Sequence, residues 1–272
     1  MTTRIITGVC LIALLVFALA MGGWVFSVLY MLTICLAMYE VYRALGDAGH
    51  RPVQWPSWLC LALSIPLFNL MGSITLLLPL VAGAAMLTAG VIMFRSEPRL
   101  EDILMSVMPL GCVLLPGMCM LGLQNAPNRA DQLMLTILAF GVPLFGDTLA
   151  YFIGSRIGRR KLCPAVSPNK TVEGAVAGMA GSLLFALAVW LGFTFFTSTL
   201  PPIWHFLVLG FVGGFAGQLG DLFASLIKRH CGLKDFGSIF PGHGGMMDRL
   251  DSVYWSTVVM YVYLNLSTLM IA

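Results

Sequence analysis

The chain has 272 residues, of which 59% are hydrophobic and only 10% charged. Its mean hydropathy is +0.92, and its apolar share exceeds the roughly 45–50% of soluble domains. An ordinary soluble domain is excluded, because one large core would not string so many long uncharged runs together. The net charge of +3 points to no nucleic-acid partner, since the cations follow the loops between apolar runs.

A helix needs about 20 apolar residues to cross the hydrocarbon of a bilayer. Nine candidate spans fall near residues 5–21, 24–42, 57–72, 75–94, 103–122, 132–155, 174–197, 203–227 and 251–271, with Gly72-Ser73 as the break between the third and fourth. The reading is an all-α, polytopic integral membrane protein with about nine transmembrane helices. Its first segment imitates a cleavable leader, with Arg4, an apolar run and Ala18-Leu19-Ala20. Retention is expected, because further spans follow at once. With nine spans, every Lys and Arg except Arg129 falls on one side. By the positive-inside rule that side and the amino terminus are cytoplasmic.

Seven cysteines occur, none with zinc-type spacing. Buried or cytoplasmic thiols are expected, hence no disulfides.

Residues 1–124 read as transmembrane scaffold and 125–272 as the region that carries the chemistry. In the first part the charges, among them Glu40, Arg43, Asp47, Arg95, Glu97, Arg99, Glu101 and Asp102, sit at segment edges and read as a solvated face. Pro66, Pro79, Pro109 and Pro116 are expected to kink or interrupt helices, which neighbouring helices tolerate in a membrane.

The sixth span changes the character of the chain. Asp147 lies inside an apolar helix, nine residues before Arg156, or roughly 13 Å below the cytoplasmic edge at ~1.5 Å per residue. An isolated acid there costs on the order of 2.5–3.5 kcal/mol, so a polar cavity or a partner is expected. The following loop, SPNKTVEG, offers Ser167 or Thr171 as a helix cap, with Lys170 just before the helix start. Such a terminus can hold an anion. In the eighth span, glycines at 210, 213, 214, 217 and 220 make a small-residue stripe that lets another helix approach closely. Asp221, Ser225 and Lys228, spaced i, i+4, i+7, stack a carboxylate, a hydroxyl and an ammonium on one face.

Ser225 to Asp251 reads SLIKRHCGLKDFGSIFPGHGGMMDRLD and concentrates charge between two apolar runs. Pro241-Gly242-His243-Gly244-Gly245 cannot continue a helix, and its glycines let backbone N–H groups converge on an anion. Asp248 and Asp251 share a helix face as the ninth span begins. Charges at a helix start with a local ion pair would also account for Asp248-Arg249-x-Asp251; the nearby Asp147 and Asp221 favour a functional cluster. Carboxylates beside cations suit a divalent metal bridging polyphosphate oxygens, since Mg2+ is usually held by one or two carboxylates plus phosphates and waters. His243 is the histidine best placed for a phosphate contact or proton transfer, while His50, His205 and His230 read as loop or interface residues.

Ser225-x-x-Lys228-Arg229, Lys234-Asp235, Pro241-x-His243-Gly244-Gly245 and Asp248-Arg249-x-Asp251 closely resemble the signature of the phosphatidate cytidylyltransferases, or CDP-diacylglycerol synthases. Gly146-Asp147 with Tyr151, Ser167-Pro168 with Lys170-Thr171, and Gly220-Asp221 look like further family features, so that the resemblance covers roughly residues 140–260. It implies transfer of a cytidylyl group from CTP to phosphatidate, with release of pyrophosphate. It implies Mg2+, with room for a K+ beside it, held by Asp221, Asp248 and Asp251, with Asp147 contributing. Lys228 and His243 join the catalytic set; Lys170, Ser225, Arg229, Lys234 and Arg249 bind substrate. It further implies a homodimer working on membrane lipid, which suits a bacterial inner membrane with the site facing the cytoplasm. Two rivals remain at this point: a CTP-dependent membrane lipid kinase, and a cation-coupled transporter using Asp147 and Asp221.

Overall fold

Uncharged runs become helices in this chain, and they stop where glycine, proline or clustered polar residues intervene. The computed structural model describes residues 2–71, 77–197, 200–240, 242 and 244–271. In chain order the helices are α1 (Thr2–Met21), α2 (Gly23–Asp47), α3 (Trp55–Met71), α4 (Leu77–Met93), α5 (Leu100–Pro109), α6 (Leu115–Leu123), α7 (Arg129–Ile157), α8 (Val172–Phe193), α9 (Ile203–His230) and α10 (Met247–Ile271). A π-helical turn, Leu110–Leu114, joins α5 to α6, so Leu100–Leu123 is one rod of 24 residues. Pro109 directly precedes this turn and Pro116 follows it. Proline lacks an N–H and crowds the carbonyl four residues back, which a locally wider turn relieves. Pro66 and Pro79, expected to act similarly, end neither α3 nor α4.

Each apolar segment read from the sequence falls on one of these rods. Five are long and apolar enough to cross a membrane: α2, the α5–α6 rod, α7, α8 and α9. Apolar parts of α1, α3 and α4 are shorter, and α10 begins with Asp248, Arg249 and Asp251. The expected Gly72-Ser73 break and the start of the fourth segment lie outside the described residues. One departure from an all-α chain is an exposed antiparallel hairpin of β1 (Lys161–Cys163) and β2 (Ser167–Thr171), in the register Lys161↔Thr171 and Cys163↔Ser167. Pro164 and Pro168 keep this stretch from being helical. The seven cysteines are free thiols.

The chain forms two compact units. The first combines Met1–Asn125 with His230–Arg249, the second Ala126–Arg229 with Leu250–Ala272. In the first, Ile34, Met38, Val41 and Leu45 put a fully buried stripe of α2 into the core. Tyr42 Oη lies 2.6 Å from Ser57 Oγ and 2.7 Å from the Ser106 carbonyl, tying α2 to α3 and α5. Two charges expected on a solvated face are instead buried: Glu40 is 1% exposed and Asp102 4%. Asp102 accepts from the Arg51 N–H at 3.0 Å and pairs with Arg95 at 3.5 Å. Donors of this kind offset the cost of burying a carboxylate. Glu97 and Arg99 do form an exposed pair.

In the second unit the glycines set the helix spacing. The α9 stripe packs on three neighbours rather than one. A Cβ at Gly210 or Gly214 would run into Ser182 of α8, one at Gly217 into Pro143 of α7, and one at Gly213 or Gly220 into α10. His205 stacks on Trp204 at 3.7 Å between ring centroids and meets the Tyr263 hydroxyl. Two helices here start on side-chain caps: Asn128 accepts from the Asp131 N–H at 2.8 Å, and Thr171 from the Gly174 N–H at 3.1 Å. Asn128→Ala is expected to cost about 1 kcal/mol, read as a lower thermal midpoint in detergent with activity retained.

Candidate active site

In the second unit, three acids and two lysines gather from α7, α9, α10 and the hairpin. Lys170, on β2 one residue before the Thr171 cap, places its Nζ 2.5 Å from Asp221 Oδ2. Both side chains are about three-quarters buried, at 27% and 25% exposure. Ser225 Oγ lies 3.4 Å from Asp221 Oδ1, as the one-turn spacing requires. Lys228, one turn further along α9, is buried and close enough to Asp251 for their charges to interact. Asp147 interacts electrostatically with Asp221 and Lys170 and shares a side-chain hydrogen bond with Ser252. Asp251 is 8% exposed, and its Oδ1 accepts from the Ser252 N–H at 2.7 Å.

The glycines explain why these acids meet. At Gly220 a Cβ would come within 2.5 Å of the Asp251 carbonyl, so α9 and α10 approach at backbone distance beside Asp221. At Gly146, next to Asp147, α8 approaches through Ser182 and the Gly178 carbonyl. Three carboxylates and two ammonium groups thus share a largely apolar surrounding, where carboxylates held close together are relieved by a cation. The Lys170 ammonium against Asp221 marks one place that already receives positive charge. Among the described residues, no three His, Cys, Asp or Glu side chains form a ready metal-binding group. The donor set nonetheless suits Mg2+, a hard cation that takes one or two carboxylates and completes its shell with phosphates and water.

In the first unit, the loop between α9 and α10 is built around Asp248. Its Oδ2 accepts from the Phe236 N–H at 2.8 Å and the Gly245 N–H at 3.0 Å. Gly242 (φ 77°) and Gly244 (φ 82°) adopt the left-handed backbone that glycine permits. Pro241 and His243, and with them the expected phosphate or proton role of His243, lie outside the described residues. Of the glycine N–H groups expected to converge on an anion, that of Gly245 is committed to protein, and so are the two that follow it. Those of Met246 and Met247 donate to Glu40 at 3.0 and 2.9 Å, and that of Gly245 to Asp248. Lys234 and Arg249 are exposed; Arg229, in the second unit, gives its Nε–H to the Val166 carbonyl at 3.2 Å. His50 and His230 meet at the surface of the first unit, with Nε2 atoms 2.8 Å apart.

Glu40 and Arg43 are the contributors that sequence reasoning missed. An acid inside the apolar α2 carried the same signal as Asp147, but its position near the segment's end made it look solvated.

Acids on apolar helices beside one helical and one hairpin lysine, with a basic Gly-rich loop in the same chain, mark a helical membrane protein whose charges suit phosphate chemistry. The model of the cytidylyltransferase family matches residues 2–267, and the chain belongs to that family. It is 32% identical to a phosphatidate cytidylyltransferase of Synechocystis sp., over 97% of each chain. It is 43% identical to the phosphatidate cytidylyltransferase of Staphylococcus haemolyticus over 125 residues, and 42% to that of Staphylococcus aureus over the same length. These two matches take in 46% of this chain and 46% of each staphylococcal protein, less than half their length.

Proposed function

We propose that the chain is a membrane nucleotidyltransferase that converts CTP and phosphatidate into CDP-diacylglycerol and pyrophosphate. The observation that carries this reading is the Lys170–Asp221 pair with Asp147, Asp251 and Lys228 around it. The names of its relatives agree. A lipid phosphate oxygen attacks the α-phosphorus of CTP, the bond to the bridging oxygen of the β-phosphate breaks, and pyrophosphate departs. A phosphate monoester is already largely ionised near neutrality, so the nucleophile needs no dedicated base. Within the second unit Asp221 and Asp251 would hold the divalent ion, with Asp147 supporting; Asp248 as a further ligand and a K+ are what the family resemblance adds to this reading. Mg2+, when bound, supplies charge neutralisation on the phosphate oxygens. Lys170, Lys228, Arg229, Lys234, His243 and Arg249 bind phosphate groups, and Ser225 orients Asp221.

The same reading gives the chain nine transmembrane spans with a cytoplasmic amino terminus, because the cations then fall on one side. Residues 1–124 serve as scaffold and 125–272 carry the chemistry, at the cytoplasmic face of a bacterial inner membrane, in a homodimer.

Turnover of radiolabelled CTP by purified protein with phosphatidate tests the proposal. A CDP-lipid product is expected, disappearing with EDTA and returning with added Mg2+. No lipid product from monodisperse protein would overturn it, and flux through proteoliposomes without CTP would then favour a transporter.

A further inference from the structure

The carboxylate of Glu40 lies inside the first unit, 1% exposed, and both its oxygens are used. Oε1 accepts from the Met246 N–H at 3.0 Å and Oε2 from the Met247 N–H at 2.9 Å. Met247 opens α10, so an acid 206 residues earlier in the chain satisfies orphan donors that a local Ser, Thr, Asp or Asn usually takes. One turn along the same face of α2, Arg43 donates to the Phe236 carbonyl at 3.0 Å. The N–H of Phe236 in turn donates to Asp248. Two side chains of α2 thus hold the loop at two places, Phe236 and the Met246–Met247 junction with α10, and Asp248 bonds beside both.

The loop is shaped to admit the acid. A Cβ on Gly245 would stand 2.5 Å from both Glu40 oxygens, and one on Gly237 would overlap the same carboxylate. Neither glycine has a left-handed φ. The lack of a side chain at these positions therefore serves the close approach of Glu40, not an unusual backbone. Glu40 thus holds the two N–H groups next to the one that Asp248 accepts from Gly245.

We infer that Glu40 is a positioning residue for the reaction, fixing the loop and the first residues of α10 so that Asp248 is held in place. The inference rests on the proposed cytidylyl transfer for its kinetic part only. Glu40→Gln keeps the size but offers one acceptor and one donor group where two acceptors are needed, so one backbone N–H faces another donor.

The test pairs hydrogen exchange of the full-length protein in detergent micelles with steady-state kinetics. For Glu40→Gln, amide exchange at residues 245–247 is expected to rise at least tenfold, with α3 and α4 unchanged. The kcat is expected to fall at least tenfold, with KM for CTP within about threefold. Gly245→Ala, which crowds the same carboxylate, should give the same pattern, and the double variant should be no worse than the worse single one. Unchanged exchange at 245–247 would overturn the inference. So would a kcat within twofold of wild type, or exchange that rises evenly through the whole first unit. If wild-type protein makes no CDP-lipid, the proposed reaction falls, and the exchange measurement alone still decides whether Glu40 holds the loop.

Discussion

Asp221→Asn is expected to lower turnover of CTP about 10³-fold while the protein stays folded and monodisperse. Asparagine keeps the shape of the side chain and removes the charge that receives Lys170 at 2.5 Å. On the proposed mechanism the loss acts twice: a divalent ion would lose a ligand, and the Lys170 ammonium loses the partner that fixes it just before α8. Removal of one preorganised electrostatic group costs about 10²–10³ in kcat in well-studied enzymes, and a lost metal ligand places the effect at the upper end. Lys170→Met removes only the cation and is expected to cost about 10²-fold by the same scale. The measurement is CDP-lipid formation at saturating CTP, with size-exclusion profiles as the folding control. Turnover of Asp221→Asn within tenfold of wild type would remove Asp221 from the mechanism.

Gly220→Ala should both destabilise the protein and impair it. The added methyl would stand 2.5 Å from the Asp251 carbonyl and 2.6 Å from the Trp255 ring. Backbone cannot yield as a flexible side chain does, so α9 and α10 must separate, at a cost of about 1–3 kcal/mol for overpacking. Asp221 and Asp251 flank this contact, and their spacing changes with it. A lower thermal midpoint together with a lower kcat is expected. Gly90 in α4 is the matched control, since a Cβ there meets nothing within 4 Å. Gly90→Ala should be neutral or stabilising by about 0.4–1 kcal/mol. Equal responses of the two variants would mean that the α9–α10 approach does not depend on glycine.

Apolar run length made the helices legible, because run length is a local property and membrane helices satisfy their own backbone. Asp147 and Asp221 were legible for a related reason: an acid in an apolar run has few destinations besides a partner. The glycine stripe foretold close packing, though not that it would serve three helices. Glu40 and Asp102 were misread. What buries them is a set of backbone donors, near in space and, for Glu40, far along the chain, and no local pattern announces such donors. The π turn is likewise a compromise between two prolines and the packing of one rod. The grip of Glu40 on Gly237 and Gly245 gives those glycines a role that the anion reading of the loop did not contain.

The division of the first unit between Met1–Asn125 and His230–Arg249 has a consequence for biosynthesis. Glu40 leaves the ribosome 206 residues ahead of Met246, which at ~5–20 residues per second is roughly 10–40 s. Throughout that interval α2 resides in its apolar surroundings with a carboxylate whose donors do not yet exist. The unit begun first is therefore completed only after α7, α8 and α9 have been translated. A nascent chain arrested before Met246 carries the first unit open, with its buried acid still waiting to be capped.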